Sequence, residues 1–419
     1  MTLNSVYITA GVAIILALLA ALVGPLFVDW TAYRSTFERY AGEALGHKVA
    51  VLGKADMSLL PAPALTFTDV RVGDAENPLL SVSRFQMRVE LPSLLKGEIR
   101  VVEMRLDRPQ VNLALDEDGR LDWLMERSEA GLARVDPKNV AFDQIEVNNG
   151  SVTLSDARDG GSRKVENVNV VVSARSLNGP FKVDGSLSSD GEPMSLRLAT
   201  GERQPGGGIR VKADLTPALT PAQLSVDALL SDKAGAPELD GRFTLASVAS
   251  DDPSMQEWRV QGDVKAGPAA IAVPSFELRY GPDERHVTLT GEGNLDLADS
   301  RRFLIKAGAR QLDLDRMLGQ GPQQPVAIRT AGQSLLSGLA ALAPDTLKGE
   351  VSLDLPAIVA GGEIIQGTRL DLETAAGGWK VLRLASRLPG RTQVTTQGDL
   401  SLQGAPSYSG TLVLNSAQP

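Results

Sequence analysis

The sequence predicts a mainly β protein, in which an N-terminal transmembrane helix is followed by an elongated, twisted antiparallel β-sheet that forms an apolar groove, with few short helices. Three observations predict this architecture. Residues 1–28 carry no charged side chain. After Gly46, apolar and polar residues alternate, most clearly over residues 287–297, and a period of two is typical of strands with one apolar face. Turn signals such as Asp190-Gly191 separate the alternating runs.

The composition restricts the chemistry that this chain can perform. Its 419 residues include 42 Lys+Arg and 51 Asp+Glu, for a net charge of −9, which disfavours nucleic-acid binding because phosphates require a basic face. Cysteine is absent, which excludes disulfides, thiolate metal sites and a Cys nucleophile. The two histidines, His47 and His286, have no catalytic partner in sequence, and no phosphate-loop, nucleophile-elbow or zinc-protease motif occurs. We therefore predict a protein that is not an enzyme and uses no cofactor or metal.

Residues 1–28 are predicted to form the membrane anchor. At ~1.5 Å per residue, a helix over Val6–Val28 is roughly 34 Å long, which is enough to cross a ~30 Å hydrocarbon core. A cleaved signal peptide is the alternative, but such a peptide has a basic start and a shorter apolar core. The residues predicted to face the lipid are Val6, Ile14, Ile15, Leu18, Leu22, Leu26 and Val28.

Residues 29–46 are predicted to form an amphipathic aromatic helix. Trp30 and Tyr33 follow the anchor directly, where aromatic side chains are expected at the membrane interface. They begin a stripe at helical spacing, and Gly46 suits the C-terminal end of the helix. Two interpretations stay open: the stripe packs on the following domain, or the helix lies on the membrane surface. The stripe comprises Trp30, Tyr33, Phe37, Tyr40, Ala41, Ala44 and Leu45.

The rest of the chain is divided into an N-terminal β region over residues 47–135 and an extended β-groove region over residues 136–419. Only two short helices are predicted here, over Leu121–Leu132 and Ser334–Ala343, and they are too few to cover the apolar faces of so many strands. A second sheet, closure into a barrel or a bound apolar ligand would each provide the missing cover. The candidate groove residues are Val111, Leu113, Val170, Val211, Leu278, Val287, Leu289, Leu295 and Leu353.

The N-terminal third resembles the AsmA family of envelope proteins in the order and spacing of several short motifs. After the anchor and the aromatic helix, Leu45–Val49 opens the β region. The similar motifs that follow are Leu59–Pro63, Phe67–Val70, Pro78–Val82, Leu94–Ile99, Arg108–Leu113, Asp118–Trp123 and Gly150–Asp156. Asp122 stands where Asn is commoner in the family, and beyond about residue 200 the likeness is only alternation and turns.

The resemblance implies a single-pass inner-membrane protein whose C-terminal body lies in the periplasm of a Gram-negative bacterium. It also implies that the apolar groove binds and conducts phospholipid in support of outer-membrane biogenesis. The expected partners are thus the membrane, phospholipid and envelope proteins, and not nucleic acid. The alternative is a non-enzymatic assembly factor or scaffold for outer-membrane proteins that carries no lipid. An exposed edge strand near Thr411–Leu414 would then recruit another β protein.

Overall fold

The computed structural model describes residues 29–416 except 61, 75, 91–98, 118–139, 159, 175–178, 203, 205–206, 234–235, 249–256, 298–301, 319–324, 342–346 and 403–405. Strands dominate, which confirms the prediction of a mainly β protein. None of the helices in these ranges is both long and apolar enough to span a membrane. The predicted anchor, residues 1–28, lies outside the described residues. Contacts divide the chain into two units, the first mainly residues 1–219 and the second mainly residues 237–419.

Among the described residues, the first element of the first unit is a single helical turn, Trp30–Tyr33, which continues into helix α1, Arg34–Leu45. Helix α1 ends at Gly46, whose φ of 72° is the left-handed conformation that glycine adopts at low cost. Eleven strands follow: β1 Val49–Val51, β2 Ala55–Ser58, β3 Ala64–Gly73, β4 Pro78–Val89, β5 Ile99–Asp107, β6 Gln110–Leu115, β7 Val140–Asp156, β8 Gly161–Ala174, β9 Phe181–Ser189, β10 Glu192–Thr200 and β11 Ile209–Pro217.

These strands pair into one sheet. β1 and β2 both pair with β3, and the order then runs β3, β4, β5 with β6, β7, β8, β9, β10 and β11. β5 and β6 lie end to end along β7, separated by Arg108, whose φ is 51°, and Pro109. Both run parallel to β7, because the chain returns to the same end of the sheet before β7 begins.

Among its described residues, the second unit contains two α-helices and one 3-10 turn, Pro389–Arg391, within its strand order. Its elements are β12 Ala222–Lys233, β13 Ala236–Ser247, β14 Trp258–Ala266, β15 Ala270–Tyr280, β16 Val287–Asp296, β17 Arg302–Gly308, β18 Leu312–Asp313, α2 Leu314–Leu318, α3 Ile328–Ala341, β19 Lys348–Ala360, β20 Glu363–Ala375, β21 Gly378–Leu388, β22 Thr392–Ser401 and β23 Ser407–Ser416. The contact division assigns the last two residues of β12 and the first residue of β13 to the first unit.

The second unit also forms a sheet of mixed direction. From β13 to β17, and from β19 to β23, each strand pairs antiparallel with the next. β17 and β18 instead pair parallel with β19, and helices α2 and α3 form the crossover that parallel neighbours require. The prediction of an antiparallel sheet was therefore wrong at these pairs and at the parallel pairs of β5 and β6 with β7 in the first unit. Alternation reports which face a side chain occupies, and it carries no information on strand direction.

Helix α3 overlaps the predicted helix Ser334–Ala343 but begins at Ile328. Its first turn contains Arg329, Thr330 and Gly332, which interrupt the apolar periodicity, so the pattern alone placed the start too late. The predicted helix Leu121–Leu132 lies within residues 118–139, outside the described ranges. The predicted division between residues 135 and 136 lies there too and stays a prediction.

Candidate functional site: an apolar sheet face

In the first unit, strand register places the alternating apolar residues on one face of the sheet. Val111 and Leu113 on β6 lie opposite Val152 and Leu154 on β7. Further along the sheet, the row through Val170 continues across Gly185, Leu196 and Leu215, and Val211 lies on the same face two rows away, beyond Ala213. The four predicted groove residues of this unit, Val111, Leu113, Val170 and Val211, therefore share a face, and each is half-buried.

In the second unit, the same alternation builds an apolar face from β13 to β17. Leu278 lies between Val260 on β14 and Leu289 on β16, and Leu295 lies opposite Phe303 on β17. Leu353 on β19 lies between Ala307 and Leu370. The five predicted groove residues of this unit, Leu278, Val287, Leu289, Leu295 and Leu353, are thus on one face by register.

Glycine and phenylalanine alternate along one row of this apolar face. Phe276 lies opposite Gly262 on one side and Gly291 on the other. A Cβ added to Gly291 would lie 2.7 Å from Cζ of Phe276 and would also collide with the backbone of β17. The phenyl ring therefore lies over Gly291, and strands β15 to β17 approach closely only because position 291 has no side chain.

The opposite face of each sheet is charged and wet. In the first unit, Arg88 pairs with Glu103 at 2.8 Å, and Arg105 bridges Glu103 at 3.1 Å and Glu146 at 2.9 Å. In the second unit, Arg279 pairs with Glu277 at 2.6 Å on the strand that also carries Leu278. Partly exposed pairs of this kind contribute little to stability, but they keep this face polar. The two faces of each sheet therefore differ sharply in polarity.

Helix α1 covers the apolar face at the start of the first unit. Phe37 stacks on Phe67 with ring centroids 3.9 Å apart and an interplanar angle of 21°, and Phe85 lies 6.4 Å from both. Trp30 and Ala41 pack against the same cluster, whose buried members are Val49, Val51, Ala55, Phe67, Val70, Val72 and Val82. The Glu38 carboxylate accepts a hydrogen bond of 2.7 Å from the N–H of Val51, which fixes the helix to β1.

Helices α2 and α3 cover part of the apolar face in the second unit. Leu314, Met317 and Ala331 pack with Val287, which is only 7% exposed, and Leu289 and Tyr280 lie at the margin of this cluster. Its other buried members are Leu312, Leu355, Ile358 and Ala360. Val287 is therefore already covered by the chain itself, whereas Leu278 and Leu295 are half-exposed outside this cluster.

One carboxylate fixes the helical segment to the sheet. Asp315 Oδ1 accepts hydrogen bonds from the N–H of Val326 at 2.9 Å and of Gly361 at 2.8 Å, and Oδ2 accepts one from Gly362 at 2.7 Å. Burial raises the pKa of the Asp315 carboxyl, but the three backbone donors lower it more, so the pKa lies below its ordinary value of 3.8. This clamp joins α2, the start of α3 and the turn between β19 and β20.

A third covered region surrounds Trp379. This side chain is 1% exposed, and it packs with Leu372, Val351 and Val381 in a cluster that Phe303, Leu353 and Leu400 border. Trp379 and Leu372 lie on the apolar face of β20 and β21. The apolar face is therefore a closed core around β19 to β21, and it is half-exposed from β6 to β11 in the first unit and from β14 to β16 in the second.

The predicted membrane and interface residues have different outcomes. Val6, Ile14, Ile15, Leu18, Leu22, Leu26 and Val28 lie outside the described residues. Trp30 packs on the first sheet, whereas Tyr33, Tyr40 and Leu45 of the predicted stripe are 60%, 61% and 56% exposed. The helix thus packs on the domain with part of its stripe and presents the rest to its surroundings. A role in membrane contact stays a prediction for Tyr33, and a role in lipid contact stays one for the groove candidates.

Sequence reasoning missed a polar feature on the wet face of the first sheet. Asp69 in β3, Arg108 between β5 and β6, and Asn149 in β7 have φ values of 50°, 51° and 51°. Cavities of about 600 Å³ and 440 Å³ open here, and Thr68, Ser83 and Arg108 line both. The register with β8 shifts between Val147 and Gly150, around Asn149, and the extra residue of such a bulge bends and twists its strand. No alternation signal marks a bulge, although Asn and Asp tolerate this backbone conformation best.

Comparison with known proteins gives one match. A family model described as the AsmA family matches residues 1–263, which is more than half of the chain and includes the whole first sheet together with β12, β13 and part of β14. No curated protein and no solved structure matches the chain. The match confirms the recognition made from the N-terminal motifs, and it extends beyond the region in which those motifs occur.

Proposed function

Because this chain belongs to the AsmA family, we propose that it is an inner-membrane-anchored periplasmic protein that binds and conducts phospholipid along its apolar sheet face, in support of outer-membrane biogenesis. The observation that carries the proposal is the half-exposed apolar face, which continues across strand after strand by register. Folded soluble proteins rarely leave a contiguous apolar surface of this kind uncovered unless it binds something.

The energetics favour a lipid as the occupant. Exposing roughly 30 lipid methylenes to water at ~0.8 kcal/mol each costs on the order of 20 kcal/mol, and an apolar face removes most of that cost without a catalytic group. Polar head groups would remain in water, so the face would accept different head groups. The proposal therefore needs no enzyme chemistry and no cofactor.

The location in the envelope belongs to the same proposal. The uncharged segment Val6–Val28 supplies a single membrane anchor, and the family is one of envelope proteins. Tyr33, Tyr40 and Leu45 are the exposed apolar side chains that follow the anchor most closely in the described residues, and they suit the membrane–water interface.

Site-specific photo-crosslinking in the intact envelope tests the lipid proposal. A photoreactive side chain at Leu278 should give adducts whose mass identifies phospholipid, because Leu278 lies on the half-exposed apolar face. The matched control is Thr290, which is exposed on the wet face of the neighbouring strand and should give none. Equal labelling at both positions, or no lipid adduct at Leu278, would overturn the proposal. The scaffold function without lipid cargo would then be favoured.

A further inference from the structure

Two consecutive polar rows lie between apolar rows on the first sheet. Strand register places the first polar row across β3, β4, β5 and β7, and the adjacent residue along each segment forms the second. The first row comprises Thr68, Arg84, Asp107 and Asn148, and the second comprises Asp69, Ser83, Arg108 and Asn149. The apolar row on one side is Phe67, Phe85, Leu106 and Val147, and the row on the other side is Val70, Val82, Pro109 and Gly150. Regular alternation would leave only one polar row between two apolar rows.

Three residues in the left-handed conformation produce the second polar row. Asp69, Arg108 and Asn149 have positive φ values. Extended residues alternate between the two faces of a sheet, so a left-handed residue interrupts the alternation and leaves two consecutive side chains on one face. Asn and Asp tolerate this conformation, but it is uncommon for an arginine. Residues held in such conformations are concentrated at binding and active sites, so the two polar rows are a candidate site.

Both rows line the cavity of about 600 Å³, here called the polar cavity, whose size is typical of small-molecule sites. The Asp107 carboxylate accepts a hydrogen bond of 3.3 Å from Nδ2 of Asn148. Arg84 and Arg108 are exposed, and neither guanidinium group forms a hydrogen bond or an ion pair with a described residue. The lining therefore carries two positive charges against one negative charge, in a chain whose net charge is −9.

Other arginines on the same face are paired with carboxylates. Arg88 lies 2.8 Å from Glu103, and Arg105 lies 2.9 Å from Glu146. The two arginines of the polar cavity thus differ from these neighbours on the same sheet, because no described carboxylate pairs with them. A concave site lined by an excess of one charge attracts a ligand of the opposite charge. The expected ligand is therefore an anion.

We propose that the polar cavity binds a phosphoryl group, carried by a soluble phosphate ester or by a phospholipid head group, between Arg84 and Arg108. The planar guanidinium fork matches the oxygens of a phosphoryl group and binds two of them at once, so two arginines hold it from neighbouring segments. The Ser83 hydroxyl and the Asn149 amide line the same cavity and are further donors. The cavity lies on the wet face, opposite the apolar one, so the inference does not depend on lipid binding to the apolar face.

Calorimetric titration of glycerol 3-phosphate into the full chain, in neutral detergent at constant ionic strength, tests this site. We expect saturable binding of glycerol 3-phosphate and no binding of glycerol, which lacks the phosphoryl group. Arg84→Gln and Arg108→Gln should each weaken binding at least tenfold, because each removes one guanidinium fork. The matched control is Arg88→Gln, which removes the same charge from the same strand outside the cavity and should alter affinity less than twofold.

Reconstituted vesicles distinguish the two sources of the phosphoryl group. The full chain is placed in vesicles of phosphatidylcholine and phosphatidylglycerol, at an ionic strength that screens the surface charge, and the titration is repeated. Affinity for glycerol 3-phosphate equal to that in detergent supports the proposal with a soluble phosphate ester as the ligand. Affinity at least tenfold lower in the vesicles supports it with a lipid head group as the ligand, because the head group then occupies the cavity.

Three results would overturn the proposal. The first is a lack of saturable glycerol 3-phosphate binding to the folded chain in detergent. The second is binding that Arg84→Gln and Arg108→Gln leave unchanged, which would place the ligand elsewhere. The third is equal weakening by Arg88→Gln, which would indicate general attraction between charges. Unchanged thermal unfolding of the variants excludes misfolding as the cause, since all three arginines are exposed. A lack of lipid crosslinks at Leu278 would not affect these outcomes.

Discussion

Replacing Asp315 by alanine should release the helical segment from the end of the second sheet. The side chain accepts three backbone hydrogen bonds of 2.7–2.9 Å, and bonds to charged groups contribute ~1.5–3 kcal/mol each when buried. Asp315 is partly exposed, so water can replace some of the lost acceptor, and screening reduces the total further. We therefore expect a loss of about 2 kcal/mol in local stability, well below the sum of three buried bonds.

Amide hydrogen exchange in the full chain measures this loss locally, which avoids treating two units as one unfolding transition. A loss of about 2 kcal/mol corresponds to roughly thirtyfold faster exchange at the amides of Val326, Gly361 and Gly362. Asp315→Asn retains one acceptor oxygen and should give a smaller effect. Asp399→Ala, which removes an exposed carboxylate on β22, is the control. Unchanged exchange in Asp315→Ala would refute the clamp, because the donors would not depend on this carboxylate.

The same clamp predicts a dependence on pH. The pKa of Asp315 is lowered in the folded chain, so its contribution is complete above the ordinary carboxyl value of 3.8. The contribution is lost as the pH falls below that value and through the lower folded pKa, because protonation removes the charge that the backbone donors stabilise. Amide hydrogen exchange at Gly361 and Gly362 should thus accelerate in acid more in the unchanged chain than in Asp315→Ala, after correction for intrinsic exchange rates. A parallel profile in the two proteins would contradict this.

Two further substitutions test the other covers of the apolar face. Phe37→Ala should lower the stability of the first unit by about 2–3 kcal/mol, because the ring stacks on Phe67 but is only half-buried. Tyr40→Ala, at an exposed position of the same helix, is the control and should have little effect. Amide hydrogen exchange in β3 measures both changes. Trp379→Ala should cost about 3–5 kcal/mol in the second unit, whereas Leu382→Ala, at a 40% exposed position, should cost less than 1 kcal/mol in chemical denaturation.

Period-two alternation predicted much of the fold, because it reports directly which face a side chain occupies. The predicted groove residues Leu278 and Leu289, for example, are direct cross-strand neighbours, although the sequence places them on separate runs. Turn signals likewise separated most of the strands. What alternation could not supply was strand direction, so the parallel pairs of β5 and β6 with β7 and of β17 and β18 with β19 were missed. The pairs with β19 depend on a crossover through α2 and α3, and tertiary packing, not local alternation, determines where a crossover leads.

The candidate site was less predictable, because its cover depends on contacts between distant residues. Val287 and Leu278 are equivalent in pattern, yet Leu314 and Met317 bury Val287, whereas Leu278 remains half-exposed. The clamp at Asp315 depends on the turn at Gly361-Gly362, which follows it by a long stretch of chain. A helix begins at Leu314, between Asp313 and Asp315, and the alternation of apolar and charged residues there does not reveal it.

Large side chains cover the apolar face at some places and not at others. The half-exposed stretches therefore do not simply result from a shortage of apolar side chains. Phe37 stacks on Phe67 in the first unit, and Trp379 is almost fully buried in the second, so the chain does supply large side chains to close its apolar face at particular places. Between these places, the rows through Val170 and Leu278 continue by register, and neither of these two residues belongs to a covered cluster among the described residues. Burying such a row would gain ~25 cal/mol per Å² of apolar surface, so an occupant of the face gains the stabilisation that the chain leaves unused there.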